Sequence, residues 1–262
     1  MRFTKMQGLG NDYIYLNCMT ETHEDLPELA RRLSDRHFGV GSDGLICIFP
    51  SERADFRMDM YNADGSRGEM CGNGIRCVGK YVYEKGLTAK QIVTIETLAG
   101  LKTLFLQVED GKVAAVTVDM GKPQVGDSLK ITVKGKDYTI IPVSMGNPHA
   151  VLFTHNIDGW DLPTLGPSFE HHEAFPNRVN TEFVEQADGS TLRMRVWERG
   201  SGETLACGTG ACAVLAAAYA TGRAGREAKI ELRGGALFVR LAEEDGHIYM
   251  TGPAVTVFEG EI

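Results

Sequence analysis

The sequence predicts an α+β protein built from two copies of one module. Three observations lead to this fold class. Short β-type segments outnumber helical ones, each half of the chain has one strongly helical segment, and both of these segments follow a Cys-Gly-x-Gly turn. The cysteines of the two turns are Cys71 and Cys207, and we call the difference between their residue numbers the repeat offset. Strands and helices that do not strictly alternate are typical of α+β folds.

Further matches support the duplication. Asn11 and Asn147, each preceded by a glycine, are separated by the same repeat offset, which also sets Asn180 opposite Gly44. The asparagine match taken alone could arise by chance, because Gly-Asn is a common turn pair. All the matches taken together predict two related domains that face each other across a cleft.

The domain boundary is expected near residue 121, where the turn residues Gly121, Lys122 and Pro123 cluster. The N-terminal domain is then 1–120, and the C-terminal domain is 121–252. The last strand, 253–262, can return to the N-terminal domain.

The first half begins with a hairpin over 3–6 and 12–17, whose turn contains two glycines. Asp25 and Glu28 have capping-box spacing, which predicts a helix start there. A helix is also expected from the first cysteine turn to Gly86, because glycine often follows the last helical residue. The remaining segments of this half are predicted strands: 45–49, 56–61, 91–97, 102–108 and 113–120.

The second half repeats this pattern. Alternation of Leu192, Met194 and Val196 with more polar residues predicts a half-buried strand over 191–198. The second cysteine turn leads into an apolar helix that ends at Gly222. The Pro-rich stretch 156–178 is expected to be irregular, with one short helix. The other segments of this half are predicted strands: 130–133, 138–143, 150–153, 180–185, 230–232, 236–241, 248–250 and 255–258.

Each cysteine of the two turns is expected at a helix N-terminus or one residue before it. The N–H groups and the dipole there favour negative charge. We therefore expect a lowered thiol pKa at both cysteines, with part of each as thiolate at neutral pH. The same N–H groups can bind a substrate carboxylate.

Composition excludes several classes of function. Hydrophobic content of 43% and a net charge of −8 describe a soluble globular chain with no general nucleic-acid or anionic-membrane surface. The N-terminus lacks the apolar core of a signal peptide, so a cytoplasmic protein with reduced thiols is expected. The six cysteines include no Cys-x-x-Cys pair, which argues against a zinc site. Four of them are interpreted as buried, inert thiols: Cys18, Cys47, Cys77 and Cys212.

Two thiols that flank one small ligand can remove a proton from one face of a carbon and return a proton to the other. This is racemisation or epimerisation by two bases. The developing carbanion must be stabilised, and helix N–H groups aimed at the adjacent carboxylate would do so. No metal-ligand cluster or pyridoxal-phosphate lysine motif is evident, so we expect no cofactor and no metal.

Seven segments follow one another along the whole chain: GLGND at 8–12, NADGS at 62–66, MCGNGIR at 70–76, MGNPH at 145–149, VNTE at 179–182, ERGSGET at 198–204 and ACGTGA at 206–211. In these segments and in their order the chain resembles the diaminopimelate epimerase family. The resemblance implies cofactor-independent interconversion of LL- and meso-diaminopimelate, for lysine and peptidoglycan precursor synthesis. It also implies a homodimer whose subunits have two pseudo-symmetric domains, each a mostly antiparallel sheet around a central helix.

Site residues follow from the resemblance. Cys71 is the implied proton donor and Cys207 the acceptor, with the roles exchanged in the reverse direction. His149 and Glu198 are implied to tune the thiol pKa values. Many members carry Gln where this chain has Gly44, so a side-chain contact is in doubt there. The implied substrate-binding residues are Asn11, Asn62, Gly72, Asn73, Asn147, Asn180, Glu198, Arg199, Gly208 and Thr209.

Two alternatives stay open. One is a related amino-acid racemase of the proline racemase type, which would not need Arg199, Glu198 and the asparagines for a second carboxylate and amine. The other is a non-enzymatic thiol redox protein, in which Cys71 and Cys207 would form a regulatory disulfide. Asp43 and Asp64 are interpreted only as turn formers.

Overall fold

The computed structural model describes all residues of the chain, Met1–Ile262. The chain divides into two compact units. Unit 1 contains Met1–Val118 together with Gly252–Ile262, and unit 2 contains Asp119–Thr251. The last segment of the chain therefore belongs to unit 1. No helix of the structure combines the length and the apolar character that crossing a bilayer requires.

Strands dominate both units, and the fold class is α+β as predicted. The strands are β1 (Arg2–Gly8), β2 (Asn11–Asn17), β3 (Gly44–Phe49), β4 (Phe56–Asn62), β5 (Arg67–Gly68), β6 (Ile92–Thr97), β7 (Gly100–Glu109), β8 (Lys112–Gly121), β9 (Gln124–Val125), β10 (Leu129–Val133), β11 (Lys136–Ser144), β12 (Pro148–Phe153), β13 (Asn180–Gln186), β14 (Thr191–Glu198), β15 (Gly202–Thr204), β16 (Glu227–Leu232), β17 (Gly235–Leu241), β18 (Ile248–Gly252) and β19 (Val255–Glu261). The helices are α1 (Leu26–Ser34), α2 (Gly72–Glu84), α3 (Leu162–Glu170) and α4 (Gly208–Ala220), with one 3₁₀ turn at Ile157–Gly159.

The sheet of unit 1 has the order β19-β1-β2-β3-β4-β6-β7-β8, with the short β5 also paired to β4. The β2–β3 and β4–β6 pairs are parallel, and the others are antiparallel. Helix α2 contacts β1, β2 and β7 and is the central helix of the unit. It lies very close to the sheet, since a Cβ at Gly79 would stand 2.8 Å from Cδ2 of Leu104.

Unit 2 repeats this topology. Its sheet has the order β11-β12-β13-β14-β16-β17-β18, with β9 and β10 beside β11 and β15 beside β14. The parallel pairs, β12–β13 and β14–β16, correspond to those of unit 1. Helix α4 is buried along most of its length, which suits a short apolar helix at the centre of a domain.

Both central helices begin where the sequence predicts. Cys71 and Cys207 are N-cap residues with extended backbones, and each thiol accepts a hydrogen bond from the N–H three residues later. Gly86 and Gly222 follow the helix ends at φ values of 69° and 70°, which glycine adopts without strain. The N-cap cysteine at the start and the glycine after the end therefore determine the length of each central helix.

The stretch 156–178 contains more structure than its proline content indicates. Helix α3 begins after Asp161, whose carboxylate accepts a hydrogen bond from the N–H of Thr164 at 3.2 Å. One proline of this helix lies in its first turn, where a missing N–H costs nothing. Pro167 lies inside the helix, yet packing against the sheet retains the helical conformation there.

Candidate active site

Cys71 lies at the end of a short hydrogen-bonded chain in unit 1. Its thiol donates to Oδ1 of Asn11 at 3.1 Å and accepts from the N–H of Gly74 at 3.3 Å. Asn11 begins β2, and α2 begins one residue after Cys71. The hairpin and the central helix together place these two side chains in contact.

Asp43 fixes the orientation of Asn11. Oδ2 of Asp43 accepts from Nδ2 of Asn11 at 2.8 Å and from the N–H of Asp12 at 3.1 Å. The amide oxygen of Asn11 is thereby turned towards Cys71. Arg36 bonds both Asp43 and Asp12, at 3.0 Å and 2.8 Å, and so balances their charge. Asp43 is therefore more than the turn former expected from the sequence.

The first turn of α2 is held by Arg76, which is fully buried. Its guanidinium donates to the carbonyl of Gly72 at 3.1 Å and to Oδ1 of Asn73 at 2.9 Å. Asn62 ends β4 and donates to the hydroxyl of Ser66 at 2.9 Å. These contacts give the predicted site residues of unit 1 fixed orientations beside Cys71 or on the adjoining strand.

Cys207 occupies the equivalent place in unit 2, where it is 5% exposed. Its thiol accepts from the N–H of Gly210 at 3.4 Å and lies 3.5 Å from the hydroxyl of Thr209. That hydroxyl accepts a hydrogen bond from Nδ2 of Asn147 at 3.3 Å. Asn147 is thus linked to Cys207 through Thr209, whereas Asn11 contacts Cys71 directly.

A buried His–Glu pair adjoins Asn147. Nδ1 of His149 lies 2.7 Å from Oε1 of Glu182, and both side chains are fully buried. Nε2 of His149 lies 3.1 Å from Oδ1 of Asn147. Glu182 is a residue that sequence reasoning quoted within a motif but assigned no role.

Three further predicted residues lie at the end of β14 and the start of β13. Asn180 accepts a hydrogen bond at its Oδ1 from the backbone N–H of Arg199, at 2.8 Å. The exposed guanidinium of Arg199 donates to the carbonyl of Asn177 at 3.1 Å. Glu198 accepts a hydrogen bond from the hydroxyl of Thr204. Burial raises the pKa of Glu198, and the nearby charge of Glu182 raises it further.

The expected lowering of the thiol pKa is wrong for Cys207. Burial raises the pKa of this thiol well above its ordinary value, and the charges of Glu198 and Glu182 raise it further. The hydrogen bonds from Thr209 and Gly210 act in the lowering direction but are outweighed. A helix N-terminus lowers a thiol pKa where the thiol stays near water, and this thiol does not.

Gly44 pairs with Tyr13 on one side and Asn62 on the other. A Cβ there would lie 2.1 Å from the carbonyl oxygen of Tyr61, so this backbone has no space for a larger side chain. The position contributes no side-chain contact to the site. No grouping of three or more histidine, cysteine or carboxylate residues could hold a metal ion.

The signal that could have identified Glu182 is the duplication itself. The repeat offset sets it opposite Ile46, an apolar residue, within otherwise matching strands. When the two halves are compared position by position, a charged residue in one half at the position of a buried aliphatic residue in the other is a visible departure from the repeat. The repeat offset gives the same signal at Asp43, which it sets opposite the buried aliphatic residue Val179. The contact of Asp43 with Asn11, however, depends on the pairing of β2 with β3.

Comparison with known proteins gives a consistent result over the whole chain. The family model described as diaminopimelate epimerase matches residues 3–126 and 141–257. Diaminopimelate epimerases of Acetivibrio thermocellus, Desulfovibrio desulfuricans and Methanococcus maripaludis are 56%, 55% and 54% identical to this chain. Each alignment covers 100% of this chain, and 98%, 98% and 99% of the respective relative.

Two solved structures of more distant proteins share the fold. A hydroxyproline epimerase from Agrobacterium vitis aligns with a TM-score of 0.76 at 18% identity, over 100% of this chain and 90% of its own. A PhzF-family phenazine biosynthesis protein of Bacillus anthracis aligns with a TM-score of 0.74 at 21% identity, over 100% and 98%. At these identities the likeness shows the shared fold alone.

Proposed function

The chain belongs to the diaminopimelate epimerase family, and from this premise we propose that it interconverts LL- and meso-diaminopimelate with Cys71 and Cys207 as paired acid and base. The observation that carries the proposal is that each cysteine caps the first turn of a central helix. This reaction belongs to the synthesis of lysine and of peptidoglycan precursors.

Removal of the α-hydrogen leaves negative charge that spreads onto the adjacent carboxylate. The first turns of both helices, at Gly72 and Asn73 and at Gly208 and Thr209, would donate backbone N–H groups to that carboxylate. N–H groups at the start of a helix have no partner within it, and oriented donors of this kind stabilise developing charge. No pyridoxal phosphate is needed if these donors supply the stabilisation.

The acid and base exchange roles with the direction of reaction. In one direction Cys207, as thiolate, accepts the α-proton while Cys71, as thiol, donates one to the opposite face. The raised pKa of Cys207 supports this assignment in one respect, because a thiol of higher pKa forms a more basic thiolate. The same shift makes that thiolate rarer at rest, so the thiol of Cys207 must release its proton to solvent before it accepts the α-proton.

The remaining polar residues would select the substrate. Arg199, which is exposed and can bind a carboxylate through two nitrogens, suits the distal carboxylate of diaminopimelate. Glu198 and the asparagines at 11, 62, 147 and 180 would bind the amino groups and the other carboxylate oxygens. His149 and Glu198 would tune the pKa of the Cys207 thiol.

The test is alanine substitution of each cysteine. Cys71→Ala and Cys207→Ala should each reduce kcat for diaminopimelate by at least about 10³-fold, because general acid and base groups contribute on this scale. Cys18→Ala, which changes a half-buried thiol outside the site, is the matched control and should keep normal activity. Full activity in either site variant would defeat the proposal, and turnover of proline in place of diaminopimelate would defeat the substrate assignment.

We also propose a homodimer in the cytoplasm. The outer edge of β19 pairs with no strand of unit 1, and it carries the exposed apolar side chains Val255, Val257 and Phe258. An apolar strand edge of this kind favours pairing with another chain. A cytoplasmic location suits a site that requires two reduced thiols.

A further inference from the structure

The duplication allows each side chain near Cys207 to be compared with its counterpart near Cys71. The strand registers of the two units agree residue by residue. Tyr13 pairs with Gly44 between β2 and β3, and His149 pairs with Asn180 between β12 and β13. Both members of the second pair follow those of the first by the repeat offset. The offset therefore identifies structural counterparts and not only similar motifs.

One counterpart pair differs in charge. A Cβ on Gly74, in the first turn of α2, would lie 2.7 Å from Cδ1 of Ile46. A Cβ on Gly210, in the first turn of α4, would lie 2.7 Å from Oε1 of Glu182. A carboxylate thus stands in unit 2 where unit 1 has a methyl group, each against the helix turn that follows its cysteine.

Packing does not explain this carboxylate. Glu182 is fully buried, Oε1 has His149 as its partner, and Oε2 has no hydrogen-bond partner. A buried ion pair commonly contributes less to stability than apolar side chains of similar volume. Unit 1 shows that this fold accepts isoleucine at the position. A costly buried charge beside a candidate catalytic group indicates function.

The contacts of the His149 imidazole show the role of the Glu182 carboxylate. Nδ1 of His149 faces the Glu182 carboxylate, and Nε2 faces the amide oxygen of Asn147, whose nitrogen donates to Thr209. The ring is therefore held from both sides, by the Glu182 carboxylate at Nδ1 and by the amide of Asn147 at Nε2.

We propose that Glu182 is a positioning residue for the epimerisation: its carboxylate fixes the ring of His149 and so holds the chain His149–Asn147–Thr209 in place beside Cys207. The proposal rests on the acid–base role proposed above for Cys207. Glu182 itself is enclosed and would not touch the substrate. Unit 1 has the neutral Tyr13 at the position equivalent to His149, so the His–Glu pair is present in unit 2 only.

Two other titratable groups face the His149–Glu182 pair. Glu198 lies on the neighbouring strand β14, and its charge interacts with both members of the pair. The charges of both carboxylates raise the pKa of Cys207, which lies at the start of α4.

The test compares kcat and KM for LL-diaminopimelate between pH 6 and 9 in three proteins: the wild type, Glu182→Gln and Glu185→Gln. Glu182→Gln should lower kcat by about 10- to 100-fold with KM changed by less than about threefold, since partners that orient a functional imidazole have effects of this size. Its kcat profile should shift to lower pH, because the charge of Glu182 that raises the pKa of Cys207 is lost.

Glu185→Gln is the matched control. Glu185 lies on the same strand, but its carboxylate bonds Arg193 and the N–H of Asn156 and not the site. The control should keep the wild-type kcat and pH profile. A Glu182→Gln enzyme with the kcat and pH profile of the wild type would overturn the inference.

A second measurement uses the unaltered protein, in case Glu182→Gln does not fold. Histidine-selective ¹⁵N labelling, with the His149 signals assigned by the loss of signal in His149→Gln, reports the protonation of each ring nitrogen. At pH 7.5 Nδ1 of His149 should carry the proton that bonds Glu182, and an unprotonated Nδ1 would overturn the inference. This readout does not depend on turnover, so it separates failure of this inference from failure of the proposed function.

Discussion

The chemistry of the two cysteines is decided by what surrounds the cap position. Both thiols receive a hydrogen bond from the N–H three residues later, which favours the thiolate. Around Cys207 this effect is outweighed by burial and by two carboxylates. Near Cys71 lies instead the buried cation Arg76, whose guanidinium bonds the first turn of α2. The same local motif thus lies in two different electrostatic surroundings.

The first prediction concerns the protonation of Cys207. Because the negative charge of Glu198 raises the pKa of this thiol, Glu198→Gln should lower the pKa and increase the thiolate fraction. A shift of one pKa unit changes that fraction about tenfold, so alkylation of Cys207 by iodoacetamide at pH 8 should accelerate by about three- to tenfold. Mass spectrometry of the peptides gives the rate at each cysteine.

Cys71 in the same sample is the internal control, because its rate should change much less. In the wild type, alkylation of Cys207 should be slow at neutral pH and should rise only as the pH approaches the raised pKa. A Cys207 that is alkylated as fast at pH 7 as an ordinary exposed thiol, or that is unaffected by Glu198→Gln, would contradict the electrostatic account.

For single residues, the sequence predicted where the site residues lie on helices and strands better than it predicted which charged groups surround them. It placed Cys71 and Cys207 at helix starts, since turn and helix signals are local. It did not predict the raised pKa of Cys207, because Glu182 and Glu198 approach it from strands that are adjacent only in the folded sheet. The contact of Asp43 with Asn11 was missed for the same reason.

At the scale of elements, glycine allows the central helix of unit 1 to approach its sheet. A Cβ on Gly79 would stand 2.8 Å from Cδ2 of Leu104 and 3.0 Å from Cδ2 of Leu106, both on β7. Glycine within a helix normally costs about 1 kcal/mol relative to alanine. That cost is offset here by the close packing of helix on sheet.

The second prediction follows from this packing. Gly79→Ala should lower the free energy of unfolding by about 1–3 kcal/mol, the usual cost of inserting a carbon into a filled core. Urea unfolding followed by circular dichroism measures the change. Gly189→Ala is the control, because a Cβ added there would meet no atom within 4 Å and the φ of this glycine is not in the left-handed region. A Gly79→Ala protein as stable as the wild type would show that α2 is not packed this closely.

Element prediction succeeded where signals were local and strong. The hairpin of β1 and β2 and the two central helices begin and end close to the predicted positions, and helix α1 begins at its predicted cap. Helix α3 is the one short helix predicted within 156–178, but the sequence did not predict its bounds. Its two prolines and short apolar face resemble an irregular segment, and its conformation depends on packing against β13 and β14, which no local pattern contains.

At the scale of the whole molecule, duplication is the main organising feature. The two units share strand order, the two parallel pairs and the position of the central helix, and their registers coincide at the repeat offset. The sequence predicted this repetition from a few motif matches. It could not predict the complete register, because most paired positions carry unrelated side chains in the two halves.

The third prediction concerns the proposed homodimer. Val257 is 53% exposed on the outer strand β19, so Val257→Lys places a charge on the proposed interface and should yield monomers. Size-exclusion chromatography with light scattering should give twice the 28.6 kDa of the chain for the wild type and the single mass for the variant. Phe238→Lys changes an exposed apolar residue of unit 2 and should remain dimeric. A monomeric wild type would refute the dimer.

The central claim is that two thiols exchange a proton with one stereocentre, and solvent isotope incorporation tests it most directly. The wild-type enzyme is incubated with LL-diaminopimelate in deuterated water, and product and remaining substrate are separated and analysed by NMR. Since thiol protons exchange with solvent, the meso product should carry one deuterium at its inverted α-carbon, while substrate recovered early stays unlabelled. Meso product that contains no deuterium, or no meso product at all, would contradict the account.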